Sequence, residues 1–240
     1  MAGTFASLGW RPVLVFGTAA AVALCLFTVQ TPAAPNGQIT VRGANSGSHL
    51  RLTVSGRNIV VRGYLAPARR SGCRYGRGRA VCPLAGVSTI TVRMGPANDK
   101  VEVKEKLPIP LTVHLGKGSD KFIGNGERDT CYPEGSRRNR CIGGGGRDVC
   151  ITGPRNSDCV GGPGDDLCIH STGSDGCWGG PGDDVCRMGP GRDGCHGGPG
   201  NDHLYGGPDP DQLYGGPGRD YCDGGPGWGK SHTCERGPRR

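Results

Sequence analysis

Five aspartates, Asp148, Asp166, Asp184, Asp202 and Asp220, stand eighteen residues apart, and each closes a glycine-rich run: GGGGRD from 143, GGPGDD from 161 and again from 179, GGPGND from 197 and GGPGRD from 215. A carboxylate that follows a glycine-rich turn is suited to a hard cation. Calcium takes about six to eight oxygen ligands, carboxylates and backbone carbonyls together. Glycine at the first, second and fourth places lets the chain turn with positive φ and leaves those carbonyls open. The candidate metal ligands and the glycines that shape their turns are therefore Gly143, Gly144, Gly146 and Asp148; Gly161, Gly162, Gly164 and Asp166; Gly179, Gly180, Gly182 and Asp184; Gly197, Gly198, Gly200 and Asp202; and Gly215, Gly216, Gly218 and Asp220.

The elements that must hold these turns follow from a nine-residue frame. Units such as GGPGDDLCI (161–169), GGPGDDVCR (179–187) and GGPGRDYCD (215–223) alternate with MGPGRDGCH (188–196) and GGPDPDQLY (206–214) in one register. Places seven to nine suit a very short strand whose eighth residue points inward. Two units make one coil of eighteen residues. Self-similarity at a short fixed period is the mark of a solenoid, and the stretch from about Gly143 to Gly225 resembles the hemolysin-type calcium-binding repeat of secreted bacterial proteins, the RTX family. The resemblance implies an all-β fold, a parallel β-roll with two nonapeptides per turn, and Ca2+ as the bound ion.

Turns stack on one edge only when they are eighteen residues apart. The five intact turns share an edge, whereas the opposite edge receives EGSRRN from 134, TGPRNS from 152, HSTGSD from 170, MGPGRD from 188 and GGPDPD from 206. Asn139 and Ser157 replace the aspartate there. The expectation is a calcium column on one side, with weaker sites at Asp175, Asp193 and Asp211. Without the ion, neighbouring turn carboxylates would repel one another, and so glycine-rich a chain would have little to offset its conformational entropy.

The eighth place, which usually holds a bulky apolar residue, carries Cys141, Cys150, Cys159, Cys168, Cys177, Cys186 and Cys195 in seven consecutive units, then Leu204, Leu213 and Cys222. Free thiols would leave a thin core. The inward cysteines fall on two ladders, and pairing along each gives Cys141–Cys159, Cys177–Cys195, Cys131–Cys150 and Cys168–Cys186, with Cys222–Cys234 and Cys73–Cys82 besides. A competing scheme joins neighbours nine residues apart across the core, and the sequence leaves both open. Zinc is disfavoured: the cysteines lack the closely spaced pairs of structural sites, and His196 and His203 beside Cys195 read as exposed.

Residues 1–34 read as a secretory signal, with Arg11 as the sole charge, an apolar run from Val13 to Val29 and small residues before Ala34. Release is favoured over anchoring, which predicts an extracellular protein, either free or attached to the cell surface. Residues 35–114 alternate apolar and polar residues rich in Val, Ile and Thr, giving candidate strands at 38–42, 50–54, 58–65, 88–94, 101–103 and 111–115. Cys73 and Cys82 flank a basic stretch and suit a clipped hairpin. The segment 82–103 is similar to the region that precedes the repeats in actinobacterial members of the family, which implies a cap continuous with the roll. The roll itself is placed at 115–225, beginning with LGKGSDKFI, and residues 226–240 form a C-terminal cap and basic tail.

The chain has 240 residues, 47 of them glycine, and is 5% aromatic, so calcium and disulfides must substitute for a conventional core. Charge is divided. Residues 143–223 carry 13 acidic and 5 basic side chains, a net of −8, whereas 35–142 carry 19 basic and 7 acidic, a net of +12. The basic part could meet cell-wall polymers or lipid. No nucleic-acid-binding module accompanies it, no H-E-x-x-H or G-x-S-x-G motif is present, and the acidic pairs belong to the repeat. The sequence thus points to a calcium-binding structural or interaction module, monomeric and not an enzyme. The alternatives are a surface adhesin and a secreted hydrolase of unrecognised fold.

Overall fold

Val, Ile and Thr alternate through the N-terminal part of the chain, and each alternating run forms a strand: Gln38–Gly43, His49–Ser55, Asn58–Arg62, Thr89–Arg93, Lys100–Val103 and Leu111–His114. The computed structural model describes residues 37–63, 65–66, 73–104, 107–135, 137–227 and 230–235. The secretory signal expected at 1–34 lies outside them. Among the described residues the fold is all-β, with one sheet of ten strands and another of twelve. From Thr89 onward the chain crosses from one sheet to the other at every turn, each strand pairing in parallel with the strand one coil away. This is the expected β-roll.

The coil tightens along the chain. Ile39 pairs with Ile90 and Leu50 with Val101, a step of 51 residues; Ile90 then pairs with Leu111 and Val101 with Phe122, a step of 21. From Cys150 onward every step is eighteen. The long first coil makes room for antiparallel strands. Asn58–Arg62, Arg79–Pro83 and Arg74–Gly76 extend one sheet beyond His49–Ser55, and Leu65–Ala66 pairs with the edge of the other. Arg74–Gly76 and Leu65–Ala66 become the outermost strands of the two sheets, and such short edge strands offer little for another chain to pair with. Cys73–Cys82 clips this region. Parallel pairing runs back to Gln38, across the change of composition at residue 115.

Strand length sets the core. The first coils carry two inward residues per strand, among them Ile39 and Val41, Leu50 and Leu52, and Ile90 and Val92, all buried. The later strands, of three or four residues, carry one inward apolar side chain: Phe122, then the cysteines, then Leu204, Leu213 and Cys222.

The two cysteine ladders form as expected, with Cys141, Cys159, Cys177 and Cys195 in register on one sheet and Cys131, Cys150, Cys168 and Cys186 on the other. The pairing along them does not. The structure joins Cys131–Cys141, Cys159–Cys168 and Cys177–Cys186 across the core, with Cα atoms 6.3 to 6.5 Å apart. It leaves Cys150 and Cys195 as buried free thiols. Along a parallel ladder the side chains point the same way and stay about 4.8 Å apart, wider than the Cβ separation of about 3.8 Å that a disulfide takes. Across the core they face one another. Cys222–Cys234 forms as expected. Non-reducing peptide mapping should therefore recover the three cross-core pairs, with Cys150 and Cys195 alkylated, and a map of eighteen-apart pairs would contradict this pairing. Removing one nine-residue closure with Cys177→Ser and Cys186→Ser should cost about 2–3 kcal/mol in chemical unfolding.

Candidate metal centre

Each intact turn leaves one sheet and enters the other through glycines in the left-handed region. φ is +116° and +135° at Gly162 and Gly164, +121° and +142° at Gly180 and Gly182, and +122° and +150° at Gly198 and Gly200. A Cβ at any of these would strike the carbonyl of the turn stacked beneath it. The first glycine is required for a different reason. A Cβ at Gly143, Gly161, Gly179, Gly197 or Gly215 would run into the Oδ2 of the aspartate that closes its own turn.

Hydrogen bonds then sort the carbonyls. Gly162 N donates to Gly179 O and Gly180 N to Gly197 O, both at 2.8 Å, while Gly164 N donates to Pro181 O and Gly182 N to Pro199 O. The carbonyls of the first and third places thus stack the turns. Those of the second and fourth accept none of these bonds.

The aspartates form a column. The backbone N–H of Asp148 donates to Asp166 Oδ1 at 2.6 Å, that of Asp166 to Asp184 at 2.7 Å, that of Asp184 to Asp202 at 2.8 Å and that of Asp202 to Asp220 at 2.9 Å. Glu235 ends the column by accepting from Asp220 N. In all five the second oxygen, Oδ2, is buried without a partner. A buried, unpaired carboxylate oxygen is costly. Burial pushes Asp148 and Asp184 up to about 8, and Asp166 and Asp202 up to about 6, with nearby carboxylates adding to the effect. A row of such oxygens beside open carbonyls fits a hard divalent cation.

The structure brings together all twenty residues singled out from the sequence, and it repeats the arrangement on the opposite edge. Ser157 N, Asp175 N and Asp193 N donate to Asp175, Asp193 and Asp211, and each of these aspartates again has a buried, unpartnered Oδ2. What differs there is the frame around the carboxylate. His170 stands where the intact turns have their first glycine, with Nδ1 3.8 Å from Asp175 Oδ2, and burial pushes its imidazole down to about 4. Further along the same edge, Asn139 Oδ1 accepts from Asp120 N and its amide is tied to Arg137 O, while Ser157 Oγ donates to Arg155 O. Neither supplies a second carboxylate oxygen.

Two further aspartates stand apart from the twenty residues. Asp129 lies on the intact edge, but both its oxygens accept backbone N–H groups, from Leu111 and Asn125. Asp99 was missed. With Asp120 it extends the opposite column toward the N-terminus, accepting from Ser48 N and donating to Asp120 Oδ1, and both keep an unpartnered Oδ2. Its signal was the run MGPAND at 94–99, which matches MGPGRD at 188–193 in four places but sits 21 residues from the next turn. His196 does not join Cys195; it stacks outward between Trp178 and Tyr214.

These features define a parallel β-roll whose nonapeptide turns line both edges with buried carboxylates. A family model for the RTX calcium-binding nonapeptide repeat, in four copies, matches residues 196–227. That stretch holds the turns at 197–202, 206–211 and 215–220. No curated protein matches the chain.

The eroded turn at 152–157 puts Arg155 in the fourth place with φ +108°, a left-handed conformation that costs a residue with a Cβ about 1–3 kcal/mol. Arg155→Gly should therefore raise stability by about 1 kcal/mol in denaturant unfolding, and a destabilised variant would show that this turn is not held by its neighbours.

Proposed function

We propose that the chain is a secreted calcium-binding repeat protein, a structural or interaction module rather than an enzyme. The column of buried carboxylates, each with one oxygen unpaired, supports this reading most directly. Asp148, Asp166, Asp184, Asp202 and Asp220 would hold calcium together with carbonyls of their glycine turns, and the bound ion would neutralise charge that the stacked turns otherwise crowd together. Cross-core disulfides suit an oxidising compartment, which agrees with reading residues 1–34 as an export signal. Outside the cell a dissociation constant of about 0.1 to 1 mM is enough for such a module. The acidic residues are engaged in stacking turns rather than gathered in a cleft, which favours binding over catalysis, and the shortness of the edge strands at the N-terminal end favours a monomer.

A second reading, attachment to the cell surface or cell wall, is favoured by the basic character of residues 35–142.

Calcium titration of the oxidised protein, followed by circular dichroism and calorimetry, should show several ions taken up with a gain of β structure that a chelator reverses. At free calcium a hundredfold above its Kd, each site lost removes about 2.7 kcal/mol. Asp184→Asn should show a loss of that size and Asp193→Asn a smaller one. Complete β structure in chelator, with no ion uptake, would sink the reading.

A further inference from the structure

The sheet that carries the antiparallel cap places three arginines in one file. Arg51 lies directly opposite Arg62, and Arg62 directly opposite Arg79, across three adjacent strands; on its other side Arg51 faces Glu102. All three arginines are exposed on the outer face. Like charges in direct cross-strand register destabilise a sheet, so the file costs stability unless something neutralises it. Glu102 is already engaged. Its carboxylate lies 2.8 Å from Lys104, 3.4 Å from both Lys100 and His49, and 3.8 Å from Arg51. Among the described residues neither Arg62 nor Arg79 has an acidic partner.

The file borders a cleft of about 440 Å³ lined by Arg51, Arg62, Arg79 and Lys104, with the hydroxyl-bearing Thr53 and Ser55 beside them. The same face stays basic along the roll, where Lys100, Lys121 and Arg140 follow one another in register until Asp158 is reached.

We propose that this file binds a linear, phosphate-bearing polymer such as a polyol-phosphate chain. The inference rests on reading the chain as an interaction module and names the partner's chemistry, but it does not depend on calcium. A guanidinium presents a planar fork that matches phosphate bidentately. Three of them on strands about 4.8 Å apart offer a line of forks rather than a point, which suits successive charges on a polymer better than a single small anion. A membrane surface is less well matched, because Trp178, far along the roll, is the one large hydrophobic side chain exposed among the described residues. A nucleic acid is less well matched because no aromatic side chain lines the cleft on which bases could stack.

The test titrates the protein, in calcium buffer, with a synthetic glycerol-phosphate hexamer, which sequesters calcium less than a polyphosphate would. Polyglutamate of equal charge and vesicles containing anionic phospholipid serve as the other arms. Arg62→Gln with Arg79→Gln should weaken hexamer binding at least tenfold. Arg42→Gln with Arg93→Gln removes the same charge from the other sheet at the same end and should leave binding unchanged. Should the first pair fail to fold, Arg62→Gln alone should still weaken binding severalfold. Equal loss in the two pairs, equal affinity for polyglutamate, binding to the vesicles alone, or no hexamer binding by the unmodified protein would each overturn the proposal. A protein that takes up calcium but not the hexamer sinks this inference only; one that binds the hexamer without taking up calcium sinks the calcium reading and leaves the arginine file standing.

Discussion

Apart from Asp129, each position-six aspartate in the stacked turns does half of what a carboxylate can do. One oxygen accepts the backbone N–H of the turn beneath, fixing the rise from coil to coil, and the other is buried with nothing to accept from. The first half is structural and needs no ion. The second is an electrostatic cost, repeated at every turn and larger where carboxylates stand close together. A cation among these oxygens would turn a column of repulsions into a column of bridges, and the glycines are arranged to let it approach. Replacing the first glycine of a turn by any other residue would put a Cβ where the unpaired oxygen sits.

The rest of the roll is consistent with so much stabilisation lying at its edges. A three-residue strand contributes one inward side chain, and for most of the length that side chain is a cysteine. The interior is one residue wide. Disulfides across it tie the two sheets directly, which ladders along either sheet would not do. Toward the N-terminus the strands lengthen, the interior becomes aliphatic and two residues deep, and antiparallel strands extend both sheets. The protein thus changes from a wider, conventionally packed end to a narrow, cross-linked coil.

The sequence was most informative where the period was strict. The eighteen-residue spacing specified the two edges, the two ladders and the inward place of every cysteine from Cys141 to Cys222. It could not specify which inward neighbours bond, because that depends on whether side chains point along a sheet or across the gap, and the two schemes use the same residues. Nor could it reveal Asp99, whose turn keeps the motif but not the period, since the wider N-terminal coils take 21 residues a step. Strand alternation located six N-terminal strands, while the short hairpin around Arg77 and Gly78, rich in arginine and glycine, was legible only through the two cysteines, Cys73 and Cys82, that flank it. Asp129 shows a different limit: its place in the frame is right, but a local Asn125 N–H occupies the oxygen that its neighbours leave unpaired.

The cross-core bonds have a parity. From Cys150 to Cys195 six inward cysteines follow one another nine residues apart, and pairing the inner four leaves the outermost two reduced. Moving each bond by one strand, to Cys150–Cys159, Cys168–Cys177 and Cys186–Cys195, would use all six. The sulfurs of Cys177, Cys186 and Cys195 already lie within 4.8 Å of one another. The same side chains can therefore be counted off in two ways, one of which holds two more electrons than the other, and the observed register is the electron-rich one.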